Sequence, residues 1–221
     1  MSVLVYENNR FMYVDDKGDN ILLDCNRYLD NLSRLPFHTN DDSMTIPRMI
    51  LELSKDSDEY MLMDVLVCAH HIKSSEPKKI LQLGCGDGVM SYHIGSVLGR
   101  MHRESLLYCV SEGFDIRDDE WLKYVNSIEI KPQIAYSKVD MSNTHLMSDE
   151  FDVVVINGNE DFIHPELIIN EAVRVLKNSG ILICYISKFP LLEDAFKILI
   201  NDYEEYWEKE KESRVLVCKK I

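Results

Sequence analysis

Residues 78–95 read KKILQLGCGDGVMSYHIG, an apolar run that ends in Gly84, Gly86 and Gly88 and passes straight into a helical pattern. Glycine tolerates positive φ and lets the backbone approach a bound molecule closely, so three of them between a strand and a helix describe a ligand loop. The same glycines would also serve a bare strand-to-helix turn. What favours the loop reading is its place after the first strand of a βαβ series. The spacing also excludes ligands: a dinucleotide fingerprint wants its third glycine where Val89 stands, and the Gly-Lys-Ser/Thr ending of a phosphate-binding P-loop is missing.

Downstream of this loop, short apolar runs alternate with helical patterns, which is the signature of a parallel sheet covered by helices. Strands are predicted over 79–83, 106–110, 134–139, 151–156 and 181–186, and helices over 89–98, 118–125, 165–176 and 191–201. Two last strands, 203–208 and 214–218, have only the polar residues 209–213 between them and should form an antiparallel hairpin.

Upstream, SVLVYENN and RFMYVDD alternate apolar and polar residues and lead through KGDN into ILLDC, a pattern of antiparallel strands with a turn at 16–20. The pattern weakens over 26–47. A helix is predicted over 58–73 behind a cap at Asp56 or Ser57, with His70 and His71 at its carboxyl end, where the helix dipole favours histidine. Ser74 to Pro77 mark the boundary, giving a small β/α extension over 1–76 and a ligand-binding α/β domain over 77–221.

The composition narrows the function. At 46% hydrophobic over 221 residues the chain has enough apolar material for one large core. A formal charge of -14 argues against general nucleic-acid binding, which needs clustered lysine and arginine. No apolar run is long enough to span a bilayer, and the amino terminus lacks the pattern of a secretion signal, so a cytoplasmic location is expected. The six cysteines lie scattered without CxxC spacing, as reduced core thiols do, and neither disulfides nor zinc are expected.

The GxGxG loop resembles motif I of the class I S-adenosylmethionine-dependent methyltransferases, and from Lys78 onward the strand pattern looks like theirs. The resemblance implies a Rossmann-like, mostly parallel seven-stranded sheet with helices on both faces and a carboxyl-terminal antiparallel hairpin. It implies S-adenosylmethionine as cofactor, held by Gly84, Cys85, Gly86, Asp87 and Gly88. Gln82 stands where many members carry an acid that contacts the ammonium group, a departure that weakens the hold on the amino-acid end. Glu112 would accept the ribose hydroxyls, with Ser111 and Asp115 as alternative occupants of that position. Asp140 would meet the adenine amino group, although it equally suits a cap on the turn beyond its strand, and Met141 would meet the adenine face.

Asn157 closes the fourth strand at the edge where the chemistry belongs, and Glu160 is the second candidate catalytic residue. Asn159, Asp161 and His164 are further contributors, or helix caps. No metal is expected, because Asn157 replaces the Asp of the metal-dependent catechol-type enzymes and CYIS lacks their Asp-Asn pair.

A second resemblance, in layout, is to the polyamine aminopropyltransferases: an amino-terminal β segment, the helix DEYMLMDVLVCAHH, then PKKILQLGCGDG and FDVVVINGNED. Those enzymes need a carboxylate to deprotonate an amine, and Asn157 stands at its place. A nucleoside-binding scaffold without catalysis is the third reading, motivated by Gln82 and Asn157. The expected partner is a small-molecule acceptor, and the amino-terminal strands present an edge suited to pairing in a homodimer.

Overall fold

The computed structural model describes residues 2–7, 10–14, 20–22, 71–72, 74–86, 88–112, 122, 125–126, 128, 130–157, 162–186, 190–208 and 213–221. In chain order the elements are β1 (Ser2–Glu7), β2 (Arg10–Val14), β3 (Asn20–Leu22), β4 (Lys79–Leu83), α1 (Val89–Met101), β5 (Leu106–Ser111) and β6 (Gln133–Lys138). They continue with β7 (Phe151–Asn157), α2 (Pro165–Val175), β8 (Leu176–Tyr185), α3 (Pro190–Leu199), β9 (Glu204–Glu208) and β10 (Ser213–Lys219). The predicted helix over 58–73 lies outside the described residues except for His71 and Ile72, which are helical. Of the one over 118–125, only Leu122 and Val125 are described, and both are helical.

The ten strands among the described residues join one sheet in the order β3-β2-β1-β9-β10-β8-β7-β4-β5-β6. The four neighbours β8, β7, β4, β5 and the edge strand β6 run parallel, in the registers Leu83↔Val110, Leu83↔Ile156 and Asn157↔Tyr185. Alternation along β4 sorts its side chains: Leu81 and Leu83 join the core with Ile168 and Ile169 of α2 and Phe196 of α3, while Gln82 turns to the other face, toward Ser91 of α1. Helices therefore cover both faces, as expected. Parallel strands buried on two sides must be apolar almost throughout, which is why VVVI reads as an unbroken run and ILQL is interrupted only by Gln82.

The structure refines two expectations. The hairpin of β9 and β10 forms with Val215↔Tyr206 in register, but its second strand inserts between β8 and β9, so β10 is antiparallel to both. The more apolar strand takes the interior place, burying Val215, Leu216, Val217 and Cys218. Secondly, β8 starts at Leu176, immediately after α2 and earlier than predicted. Leu176 pairs with Phe151, and the regular ladder resumes only at Ile181↔Val153, so residues 177–180 loop out. Ser179 at φ 64 turns this bulge, and its N–H donates to the Lys220 carbonyl at 2.8 Å.

The amino-terminal extension is part of the same sheet. A meander of β1, β2 and β3 attaches through β1, parallel to β9 at Ser2↔Tyr206 and Val3↔Trp207.

Candidate functional site

Because β6, β5, β4 and β7 are adjacent and parallel, the loops that follow them emerge along one sheet edge. That edge gathers Gly84, Cys85, Gly86 and Gly88 after β4, Ser111 and Glu112 at the end of β5, Asp140 and Met141 after β6, and Asn157 at the end of β7. Asp87, Asp115, Asn159, Glu160 and Asp161 lie outside the described residues. His164 is exposed at the start of α2, its Nδ1 3.4 Å from Glu166 Oε1.

The glycine loop is tied down on both sides. Gly84 and Cys85 both donate their N–H to the Val110 carbonyl of β5, at 3.0 and 3.1 Å. Gly88 donates to the Cys85 carbonyl, and Tyr92 donates back to Gly88 as α1 begins. Gly84, Gly86 and Gly88 all have positive φ, of 76, 51 and 96°. A Cβ on Gly84 would sit 2.6 Å from the Asn157 carbonyl oxygen, so this glycine is required for backbone-to-backbone packing. A Cβ on Gly86 would meet nothing within 4 Å, so open space lies over the middle of the loop.

Two amides at this edge, Gln82 and Asn157, are both buried. Gln82 accepts a hydrogen bond from Ser91 Oγ at 2.7 Å and so anchors the first turn of α1. The Gln82 side chain is thus engaged under the helix. Asn157 is 3% exposed, and neither its Nδ2 nor Gln82 Nε2 has a hydrogen-bond partner. Leaving such a donor unsatisfied costs about 1–3 kcal/mol, so each marks a place where a further acceptor would be stabilising.

The acids after β5 and β6 both accept hydrogen bonds from the turn that follows β6. Glu112 Oε1 accepts the Met141 N–H at 2.6 Å, linking the end of β5 to the turn after β6. Asp140 Oδ1 accepts from both the N–H and the hydroxyl of Ser142, at 2.7 and 2.6 Å. The Ser142 hydroxyl bond above all holds its carboxyl below the usual carboxylate range. Met141 is wholly buried in the core shared with Leu81, Leu83 and Val110. Ser111 is also buried, with its hydroxyl 2.9 Å from Tyr136 Oη.

Sequence reasoning passed over the clamp that holds the loop carrying Asp140 and Met141. Glu171 of α2, 6% exposed, accepts from Thr144 N–H at 2.9 Å and from Thr144 Oγ1 at 2.5 Å. It also pairs with Arg174 through Nε and Nη2, both at 2.7 Å, and Arg174 reaches on to the Leu146 carbonyl and Ser148 Oγ. These bonds, led by that to Arg174, lower the Glu171 pKa to about 2. The only signal in the sequence was an acid and an arginine three apart on one helix face, which ordinarily reads as a solvated pair.

Residues 81–184 match the family described as "Methyltransferase domain". Among solved structures, a TehB-like S-adenosylmethionine-dependent methyltransferase from Corynebacterium glutamicum superimposes with a TM-score of 0.51 at 16% identity, covering 77% of this chain and 91% of that one. An S-adenosylmethionine-dependent methyltransferase from Methanosarcina mazei gives 0.51 at 14% identity, covering 70% and 97%. The [4+2]-cyclase SpnF gives 0.55 at 13%, covering 82% and 84%. Likeness at these identities is one of fold. No curated protein sequence matches the chain. Residues 81–184, from β4 into β8, thus match a methyltransferase domain, and the sheet with its reversed β10 is the fold shared with these S-adenosylmethionine-dependent methyltransferases.

Proposed function

We propose that the chain methylates a small-molecule acceptor, with S-adenosylmethionine lying along the carboxyl edge of β6, β5, β4 and β7. The observation that carries this placement is the contrast within the glycine loop: Gly84 is packed on Asn157, whereas Gly86 borders open space. The donor and acceptor set also suits the cofactor. The second oxygen of Glu112 is the acceptor for the ribose hydroxyls, with Asp140 toward the adenine amino group and Asn157 toward the sulfonium end. Met141 shapes the adenine side from beneath, through its backbone and its place in the core.

When bound, the cofactor supplies a methyl group on a positively charged sulfur. The protein's task is alignment, and a base is not obligatory for an acceptor that arrives with an available lone pair. Asn157 cannot take a proton from an ammonium, which counts against aminopropyl transfer. Incubation with S-adenosylmethionine and pooled small acceptors should yield S-adenosylhomocysteine. Decarboxylated cofactor turning over to methylthioadenosine instead would replace this reading with aminopropyl transfer.

Two further parts of the proposal concern context. A cytoplasmic location agrees with the absence, among the described residues, of a helix long and apolar enough to cross a membrane. A homodimer would form through β3, the outermost amino-terminal strand, and light scattering would show twice the chain mass. The formal charge of -14 leaves nucleic acid outside the proposed partners.

A further inference from the structure

We infer that Asn157 selects a cofactor that retains its methionine carboxylate, by donating the side-chain amide to that group. The inference rests on the placement of S-adenosylmethionine proposed above and assigns the residue that reads its far end.

Asn157 Nδ2 is buried and has no partner, and a side-chain NH₂ can only donate. Among the described residues nothing completes it, and a hydrogen-bond acceptor brought by a ligand would. The two acids of the edge, Glu112 after β5 and Asp140 after β6, offer acceptors, which suit the hydroxyl and amino donors of a nucleoside. The end of the cofactor that carries a negatively charged acceptor, the carboxylate, is then left to the opposite side of β4. Asn157 stands there, three strand spacings or about 14 Å from β6, with its carbonyl against Gly84 of the loop. An aspartate at this position would set two negative charges against each other. The amide instead makes a charge-assisted bond, and losing such a bond weakens binding about tenfold or more.

The test uses the full chain labelled with ¹⁵N-asparagine, with the Asn157 side-chain resonances identified by their loss in Asn157→Asp. The probes are S-adenosylhomocysteine, its decarboxylated analogue and methylthioadenosine, followed by calorimetry and by the NMR spectrum. In the wild type, S-adenosylhomocysteine should bind at least about tenfold tighter than the decarboxylated analogue and alone should move the Asn157 NH₂ resonances. In Asn157→Asp and Asn157→Leu the two affinities should converge, with methylthioadenosine binding unchanged. Equal wild-type affinities, or resonances that stay in place while S-adenosylhomocysteine binds, overturn the inference and leave the cofactor site standing. Because the wild-type titration needs no variant, it decides the matter even if a substitution unfolds the chain. Failure of all three probes to bind overturns the cofactor placement, and the inference with it.

Discussion

A methyl group added at Gly84 would lie 2.6 Å from the Asn157 carbonyl oxygen, whereas one at Gly86 would touch nothing within 4 Å. Gly84→Ala combines a positive φ with a backbone clash and should cost more than about 2 kcal/mol in a denaturant titration. Gly86→Val should cost only about 1–2 kcal/mol of backbone strain yet abolish the thermal shift given by S-adenosylhomocysteine, because its branched side chain fills the space over the loop. Survival of that shift would place the cofactor elsewhere. Glu112→Gln keeps an oxygen for the Met141 N–H but loses the charge, so S-adenosylhomocysteine affinity should fall about tenfold by calorimetry while stability changes little. The glycines were legible because positive φ is a local demand that the sequence expresses directly. Gln82 was not, since whether a strand amide meets a ligand or a helix depends on which face α1 covers, and Ser91 settled that nine residues later. At Asp140 both the cap and the adenine contact were open, and Ser142 occupies one of its oxygens.

Among the helices, α2 does the most to position the site, since Glu171 and Arg174 hold residues 144–148, just beyond Asp140 and Met141. Glu171→Gln should destabilise the fold by about 2 kcal/mol, a value held down by the partial exposure of Arg174. The pH dependence has a definite sign. The folded pKa of Glu171, about 2, lies below its ordinary value of 4.5, so the carboxylate's contribution is fully present above that ordinary value and lost as pH falls through the folded one. The wild-type chain should therefore lose more stability than Glu171→Gln between pH 5 and about pH 2, measured as the difference in thermal midpoints. Pro165 and the spacing of Ile168, Ile169, Ala172 and Val175 made α2 readable. The early start of β8 escaped because Lys177, Asn178 and Ser179 are polar and pair only through a bulge, which has no apolar period to detect.

For the whole molecule, alternation of strand and helix patterns was enough to specify the parallel sheet, since each buried strand must be apolar on both faces. The insertion of β10 between β8 and β9 could not be read the same way, because adjacency in a sheet is decided by packing between residues distant in sequence. Among the described strands, the extension pairs with the rest through Ser2↔Tyr206 and Val3↔Trp207, whereas β8 and β10 are in register over five. Because the family match begins at residue 81, a chain of residues 77–221 is expected to fold and to bind S-adenosylhomocysteine, with circular dichroism and calorimetry as the checks. Loss of folding would make the extension an integral part of one cooperative unit. The most direct test of the cofactor site is a thermal melt of the full chain with S-adenosylmethionine, S-adenosylhomocysteine or NAD at about 100 times the expected Kd, where binding contributes about 2.7 kcal/mol. The first two should each raise Tm by about 5–10 °C and NAD should leave it unchanged, whereas a Tm unmoved by either sulfur compound would contradict the assignment of this edge as the cofactor site.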